Sequence, residues 1–321
     1  MRSLPPPLRH CLGSLSFRSP KIAQPVVWSS RQASPVAMRT RQRFVLGQSS
    51  RKLSSTVTPS VDPILDMTFL DERLEDLQPS NIAKQLMEEG YFTTEKFLDP
   101  IETTALRMQS IALRQEGRFE QSWSESIGSD GVAQRFDKEG VFACEPDGAD
   151  YVTAPDILIY MSWLLQTLPP RLNNEMQELL PDGGSVDLSN QAFNAKLAVT
   201  QPGGSTYPLH IDNPQGLAVN DIRKLTAIIY LNPNYQAGDG GELRIYLQDN
   251  VIRDLPPVGG RLLMFWSDEI PHEVLPTSPN ADPQDEEKDR YALTVWIPTD
   301  SATQIHSPTS KFSDLKDVVA F

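Results

Sequence analysis

The pattern of hydrophobic residues changes near Asn194, and this change limits the possible folds more than any other feature of the sequence. Beyond it, short runs rich in β-branched and aromatic residues alternate with clusters of Gly, Pro, Asn and Asp. The runs are AKLAVT, LTAIIYL, GELRIYL, GRLLMFW, HEVLPT and RYALTVWI. Short strands separated by turn residues are typical of an antiparallel sandwich or jelly roll. We therefore expect a β-rich core of this kind over residues 194–300.

The region before this core shows helical spacing instead. One helix is predicted in SNIAKQLMEE with Ser80 as its N-cap, and a second follows the N-cap Asp99 and ends at Gly117. The apolar face of the second helix is assigned to Ile101, Leu106, Met108, Ile111 and Leu113. A third helix is expected over residues 155–168, and the two prolines that follow should close it.

Helices followed by strands predict an α+β fold class. Residues 62–193 are interpreted as a helical part of the same domain as the β core, and residues 301–321 as a C-terminal tail. Residues 1–61 contain ten basic and no acidic residues, a composition typical of a mitochondrial or plastid transit peptide. We expect a disordered, removable presequence and a mitochondrial location, with a plastid location or a retained basic tail as alternatives.

The rest of the chain is strongly acidic. It keeps 19 basic residues against all 42 acidic ones, which gives a formal charge of −23. Such a surface repels phosphate backbones, so nucleic acid is not an expected partner, whereas a basic protein or peptide fits better. No apolar run is long enough to span a membrane. Cys144 has no activating His or Lys nearby in the sequence, and we interpret it as a buried, inert thiol.

Two residues in YPLHIDNPQG carry the strongest chemical signal. His210 and Asp212 are two positions apart, so in a strand their side chains lie on one face and can meet one metal ion. His272, in SDEIPHEVLPT just beyond the strand GRLLMFW, supplies a second imidazole, because a jelly roll brings distant strands together. Two histidines and one carboxylate are the facial triad of non-haem iron(II) oxygenases. A single histidine near a strand end is more often an ordinary core or surface residue, and only the joint pattern predicts a metal site.

A facial triad leaves open positions on the metal for a 2-oxo acid and molecular oxygen. Arg290 opens the strand RYALTVWI and is suited to hold the far carboxylate of such a cosubstrate, because its guanidinium binds carboxylates bidentately. Tyr230 is a candidate for an additional hydrogen bond, and Thr294 is a weaker one. The alternatives are a surface ion pair between Arg290 and Asp289 or Glu287, and an ordinary core role for Tyr230.

Six motifs occur in a fixed order: HIDNPQG, TAIIYLN, GGELRIYL, GRLLMFWSD, PHEV and RYALTVW. Together they resemble the hypoxia-inducible-factor prolyl hydroxylases and their protist, plant and bacterial relatives, over roughly Ile82 to Pro298. The resemblance implies a double-stranded β-helix, iron(II) bound by His210, Asp212 and His272, and 2-oxoglutarate bound by Arg290 with Tyr230. It also implies L-ascorbate as the agent that keeps the iron reduced.

The same resemblance suggests substrate contacts and shows departures. QRFDKEG resembles the family's Arg-x-Asp segment beside the substrate groove, so Arg135 and Asp137 are candidate substrate contacts, and we add Trp296. Tyr207 stands in the place of the family's second tyrosine before the first histidine and is counted among the cosubstrate-binding candidates. Gln201 replaces the first of these tyrosines, the tryptophan expected after Asp137 is absent, and the loop before Arg290 is longer by about ADPQDEEKD.

The sequence therefore predicts an iron(II)- and 2-oxoglutarate-dependent dioxygenase that hydroxylates prolyl residues at C4 in a protein and releases succinate and CO2. One alternative is an oxygenase of the same kind acting on a small molecule or free amino acid. Another is a jelly-roll binding protein without turnover. A nucleic-acid demethylase shares the triad but conflicts with the acidic body.

Overall fold

A computed structural model describes residues 62–127, 133–180 and 185–318, with side chains omitted at 124–127 and 133–136. The predicted presequence, residues 1–61, lies outside this range. Within the range there are five α-helices: α1 (Met67–Leu77), α2 (Pro79–Glu89), α3 (Pro100–Gln115), α4 (Pro155–Gln166) and α5 (Leu168–Leu179). Within the same residues, no helix is both long and apolar enough to cross a bilayer.

Helix α3 begins as its sequence predicts. Asp99 accepts hydrogen bonds from the first-turn amides, and Glu102 bonds back to the amide of Asp99, which completes a capping box. The predicted apolar face is wrong at two positions, since Ile101 is 74% and Met108 is 59% exposed. The helix instead buries polar residues such as Gln109, whose amide bonds the carboxylate at the start of α4. Apolar spacing could not reveal this buried polar contact.

Two predicted helix boundaries also differ in the structure. Gln78, not Ser80, is the N-cap of α2, because Pro79 occupies the first position of the helix. Pro169 and Pro170 do not close the third predicted helix before a loop, but lie in the first turn of α5. Proline is tolerated there because the first amides of a helix have no partner within the helix.

The described residues contain eleven strands in two antiparallel sheets. The strands are β1 (Tyr91–Thr94), β2 (Glu120–Ile127), β3 (Ala133–Cys144), β4 (Asn194–Thr200), β5 (Tyr207–His210), β6 (Arg223–Tyr230), β7 (Leu243–Tyr246), β8 (Ile252–Leu255), β9 (Leu262–Trp266), β10 (His272–Val274) and β11 (Arg290–Pro298). The larger sheet has the order β1-β9-β6-β11-β4-β3-β2, and the smaller one β5-β10-β7-β8. Each of the six predicted runs contains a strand. The α+β class is confirmed.

The helices cover one face of the larger sheet. Helix α2 contacts β9 and α4 contacts β11, and the indole of Trp266 donates a 2.9 Å hydrogen bond to the backbone of Leu86 in α2. Seven of the eight residues of β6 are buried, which explains why LTAIIYL is nearly continuous in apolar residues. The tail after residue 300 packs on this body, with Phe312 and Leu315 buried. The other face of the larger sheet is turned toward the smaller sheet, and a cavity lies between them.

Candidate active site

Three predicted metal ligands meet at one edge of the smaller sheet. His210 ends β5 and His272 begins β10, and the two residues are direct partners in the antiparallel ladder. Asp212 follows His210 by two residues, and its Oδ1 lies 3.7 Å from His210 Nε2 and 3.8 Å from His272 Nε2. One ligand atom from each of the three residues lies within 4.8 Å of the others. The spatial convergence that the sequence predicts is present.

Hydrogen bonds orient both imidazoles toward the same point. His210 Nδ1 lies 2.8 Å from the carbonyl of Pro208, and His272 Nδ1 lies 3.0 Å from the carbonyl of Ile270. A carbonyl oxygen only accepts, so Nδ1 carries the proton in each ring and Nε2 keeps its lone pair. This is the arrangement in which protein histidines bind metals through Nε2.

The carboxylate of Asp212 is oriented in the same way. Its Oδ2 accepts hydrogen bonds from Trp296 Nε1 at 2.9 Å and from Thr226 Oγ1 at 2.8 Å. The guanidinium of Arg223 binds the backbone oxygen of Asp212 at 2.7 Å. Oδ1 is thereby left to face the two imidazoles. Trp296, expected from the sequence as a substrate contact, donates its indole hydrogen bond to a candidate metal ligand.

The protonation states suit a divalent cation. Burial, reinforced by His272, lowers the pKa of His210 to about 3, so this imidazole is neutral at physiological pH. Burial alone would raise the pKa of Asp212, but the two imidazoles and Arg223 outweigh it, and the pKa lies below its usual value. A neutral imidazole and an ionised carboxylate bind a metal ion without first losing a proton. The donor set fits iron(II), which prefers two histidines and one carboxylate with open positions beside them.

Arg290 lies at one end of the cavity next to this cluster. The cavity has a volume of about 140 Å³ and lies between the two sheets. Arg290 is only 7% exposed, and its Nε donates a 2.7 Å hydrogen bond to the carbonyl of Gly241. A Cβ atom at position 241 would lie 2.8 Å from Arg290 Cδ, so the second glycine of GGELRIYL makes room for the arginine. The alternative of a surface ion pair with Asp289 is wrong, because Asp289 is paired with Arg114.

Tyr230 lies beside Arg290. Its ring centroid is 5.1 Å from the Arg290 guanidinium, and its buried hydroxyl has no hydrogen-bond partner in the described part of the chain. A buried hydroxyl without a partner is costly, and a carboxylate lying between the phenol and the guanidinium would accept from both. The residues at this end therefore fit the far carboxylate of a 2-oxo acid. Thr294 and Tyr207 line the same cavity.

The remaining predicted residues are placed less centrally. The side chain of Arg135 lies outside the described part of the structure, and Asp137 is exposed on β3. In the ladder Asp137 faces Trp123, which lines the cavity. Gln201 is not among the cavity-lining residues that the structure describes. Cys144 is buried and free, and burial raises the pKa of its thiol to about 12, in agreement with the inert role expected.

Two lysines of the cavity were missed by sequence reasoning. Lys138 on β3 and Lys196 on β4 both line it. The alternation of side chains along AKLAVT could have indicated Lys196. Lys196 and Ala198 lie on the face of β4 that lines the cavity, while Leu197 and Val199 pack on the opposite face. A lysine in a strand is normally assigned to the solvent face, so the pattern alone suggested nothing unusual.

Residues 195–298 match the family model of the 2OG-Fe(II) oxygenase superfamily. This segment is similar to the domain of that superfamily. Enzymes of this superfamily use iron(II) and 2-oxoglutarate, and the His-Asp-His cluster lies within the matched segment. The resemblance to prolyl hydroxylases is also confirmed by individual relatives.

The curated relatives include prolyl hydroxylase EGLN3 from mouse and from human. The chain is 41% identical to the mouse protein and 42% to the human protein over 105 residues, which is 32% of this chain. The match spans only 38% of the length of either relative.

Solved structures of prolyl hydroxylases extend the similarity beyond that segment. A Trichoplax adhaerens prolyl hydroxylase, solved with a peptide fragment of the hypoxia-inducible-factor oxygen degradation domain, is 26% identical with a TM-score of 0.56. The match covers 75% of this chain and 97% of that one. A Pseudomonas putida prolyl-4-hydroxylase is 25% identical with a TM-score of 0.50, covering 69% and 98%. The predicted double-stranded β-helix is thus confirmed.

Proposed function

We propose that this protein is an iron(II)- and 2-oxoglutarate-dependent dioxygenase that hydroxylates prolyl residues at C4 in a protein or peptide, with succinate and CO2 as products. One observation carries the proposal: the His-Asp-His cluster and the buried Arg290 line a single cavity, and Tyr230 lies against Arg290. The prolyl hydroxylases among the relatives support proline as the target residue. Because the match spans only 38% of the length of the curated relatives, the prolyl substrate is part of the proposal.

The metal ligands in this proposal are His210, Asp212 and His272. Bound iron(II) supplies the oxygen activation that no amino-acid side chain performs. The protein contributes a rigid set of donors, because each ligand is already held by a hydrogen bond to a carbonyl, an indole or a hydroxyl. Ligands fixed in this way bind metal with little loss of side-chain entropy.

Arg290 and Tyr230 are proposed to bind the far carboxylate of 2-oxoglutarate. The guanidinium is held by Gly241 and supplies the charge, and the phenol donates the hydrogen bond that it lacks in the described residues. Thr294, on the same strand as Arg290, and Tyr207 border the bound cosubstrate. We further propose that L-ascorbate keeps the iron reduced and that residues 1–61 direct the protein to mitochondria. The basic composition of that segment supports the second point.

The test is mass spectrometry of proline-containing proteins and peptides incubated with the full chain, iron(II), 2-oxoglutarate and ascorbate. We expect the mass of one oxygen atom to be added to a prolyl residue, together with stoichiometric succinate. His272→Ala should abolish both products, whereas Arg253→Ala, at an exposed position of β8, should change neither. Undiminished hydroxylation by the His272→Ala variant would show that the ligand assignment is wrong.

A further inference from the structure

Arg290, proposed to bind the far carboxylate of 2-oxoglutarate, is the first residue of β11. The fifteen residues 275–289 connect it to the end of β10, and most of those from 279 to 287 are exposed. The ladder with β4 reaches Arg290, but the ladder with β6 begins only at Ala292. On the β6 side, the backbone at residue 290 therefore depends on contacts other than strand pairing.

Arg107 of helix α3 supplies these contacts. Its Nη1 and Nη2 both donate to the carbonyl of Asp289 at 3.0 Å. Nη1 also donates to Asn232 Oδ1 at 3.1 Å, and the same oxygen accepts the amide of Tyr291 at 2.8 Å. The Asp289 carbonyl and the Tyr291 amide belong to the two peptide groups that flank the Cα atom of Arg290. Arg107 thus holds one of these groups directly and the other through Asn232.

Arg114 holds the side chains of the same two residues. It lies seven positions after Arg107, about two helical turns along α3, and therefore on the same face of the helix. Its Nη1 donates to Asp289 Oδ2 at 2.5 Å and lies 3.3 Å from the hydroxyl of Tyr291. The ring centroid of Tyr291 is 4.9 Å from the Arg107 guanidinium. Helix α3 therefore binds both chain neighbours of Arg290.

Such a charged network is a costly way to attach a helix to a sheet. Burial lowers the pKa of Arg107, although Tyr291 and Asp289 oppose the shift. Burial also raises the pKa of Asp289, against the opposing effect of Arg114. An apolar contact would avoid the dehydration of these charges. A guanidinium adds direction instead, because its donors lie in one plane and hold their acceptors in one geometry.

The place of this backbone decides where the guanidinium of Arg290 lies. Arg290 Nε donates a 2.7 Å hydrogen bond to the carbonyl of Gly241, so a shift at the start of β11 breaks this bond or moves the guanidinium. A displacement of about 1 Å in a positioned group can reduce function about a hundredfold. Fixing the start of β11 is therefore a requirement of a binding site built on Arg290.

We propose that Arg107 and Arg114 are positioning residues for 2-oxoglutarate, because they fix the peptide groups and side chains on both sides of Arg290. This inference rests on the proposed function, in which Arg290 binds the cosubstrate. Neither Arg107 nor Arg114 is among the residues described as lining the cavity of the metal cluster, so both act through Arg290. Held in this way, Arg290 is also separated from the long connection that precedes it.

The experiment measures the affinity for 2-oxoglutarate by calorimetry, with the iron(II)-loaded full chain and without oxygen. Arg107→Met and Arg114→Met remove the two guanidinium groups, and Arg118→Met is the matched control. Arg118 follows α3 and binds Asp150 through hydrogen bonds of 2.7 and 2.8 Å, rather than β11. Thermal unfolding of each variant reports how much stability is lost.

We expect Arg107→Met to weaken 2-oxoglutarate binding about tenfold. Arg114→Met should weaken it about threefold, because both peptide groups remain held by Arg107. Arg118→Met should bind 2-oxoglutarate as wild type does, even where it unfolds at a lower temperature. The affinity for iron(II) and the kcat at saturating 2-oxoglutarate should be unchanged in all three variants, since only cosubstrate binding is affected.

Combination with Arg290→Met separates positioning from a general effect on the fold. If Arg107 acts through Arg290, adding Arg107→Met to Arg290→Met should change the affinity by less than about twofold. Wild-type affinity in Arg107→Met, an equal loss in Arg118→Met, or a full further loss in the double variant would overturn the proposal. Arg107→Lys keeps the charge without the planar donor set and gives the same comparison if Arg107→Met does not fold.

The positioning role and the proposed function fail in different ways. Wild-type protein that does not bind 2-oxoglutarate would remove the proposed function and this inference with it. Binding by wild type that Arg107→Met leaves unchanged would remove only the positioning role.

Discussion

The two ends of the cavity hold positive charge in different ways. At one end Arg290 is buried, bonded to the carbonyl of Gly241 and stacked near Tyr230, so its planar guanidinium is fixed before any ligand arrives. At the other end Lys138 and Lys196 extend flexible side chains from two strands of the larger sheet. A planar guanidinium held in one orientation suits the carboxylate of a single cosubstrate, whereas an ammonium group on a four-carbon stem can adapt to anions in several positions.

The largest effect that separates the ends is expected for Arg290→Met. It removes the guanidinium proposed to bind the far carboxylate, so the KM for 2-oxoglutarate should rise about 100-fold. Lys196→Met should leave that KM within about twofold of wild type. Steady-state succinate production at varied 2-oxoglutarate measures both. A similar rise in the two variants would mean that the cosubstrate spans both ends.

A smaller effect is expected for Trp296→Phe, which tests whether the lysine end also organises the metal. Phenylalanine keeps a ring in the cavity but lacks the N–H that binds Asp212 Oδ2. Loss of one hydrogen bond to a metal ligand should weaken iron(II) binding about tenfold. The measurement is titration of the metal-free protein with iron(II) under anaerobic conditions.

Lys196→Met is the matched control for Trp296→Phe, because the two residues line the same end of the cavity. Its iron affinity should not fall, because Lys196 makes no hydrogen bond to a ligand and removing its positive charge near Asp212 favours a cation. Unchanged iron affinity in Trp296→Phe would instead assign the indole to the substrate alone, as the sequence first suggested.

The fold and the metal cluster were predictable because their signals are local and repeated. Six of the eight strands within residues 194–300 lie in runs of β-branched and aromatic residues, and Asp212 follows His210, the last residue of β5, by only two positions. The exposed faces of α3 were not predictable, because Gln109 is buried through its bond with Asp156 in another helix. Strand β1 was missed as well, since YFTT is too short to be recognised without its partner β9.

The lysine end was missed for a related reason. Lys138 and Lys196 are 58 positions apart in the sequence, and only the pairing of β3 with β4 brings their strands together. Gln201 is the opposite case. It departs from the family pattern and was therefore singled out in the sequence, but it is not among the residues described as lining the cavity. Charge inside a cavity depends on which strands are neighbours, and composition reports only the net acidity of the whole chain.

The smallest expected effect is a pH dependence confined to the lysine end. Burial, with Lys196 on β4 second, lowers the pKa of Lys138 to about 7, and Asp212 acts against this shift. Below pH 7 the amine is charged and attracts a carboxylate, and above pH 7 it becomes neutral. The KM for a peptide with a glutamate beside the proline should therefore rise a few-fold between about pH 6.5 and 8.5, while the KM for the matching glutamine peptide stays constant.

Binding of the glutamate peptide itself shifts this transition, because a carboxylate near Lys138 stabilises the charged amine and raises its pKa. The fall in kcat/KM, which reports the free enzyme, should therefore be centred near pH 7, and any fall in kcat should occur at higher pH. Lys138→Met should flatten the profile for the glutamate peptide without changing the KM for 2-oxoglutarate. An unchanged profile in that variant would assign the titration to another group and leave Lys196 alone at this end of the cavity.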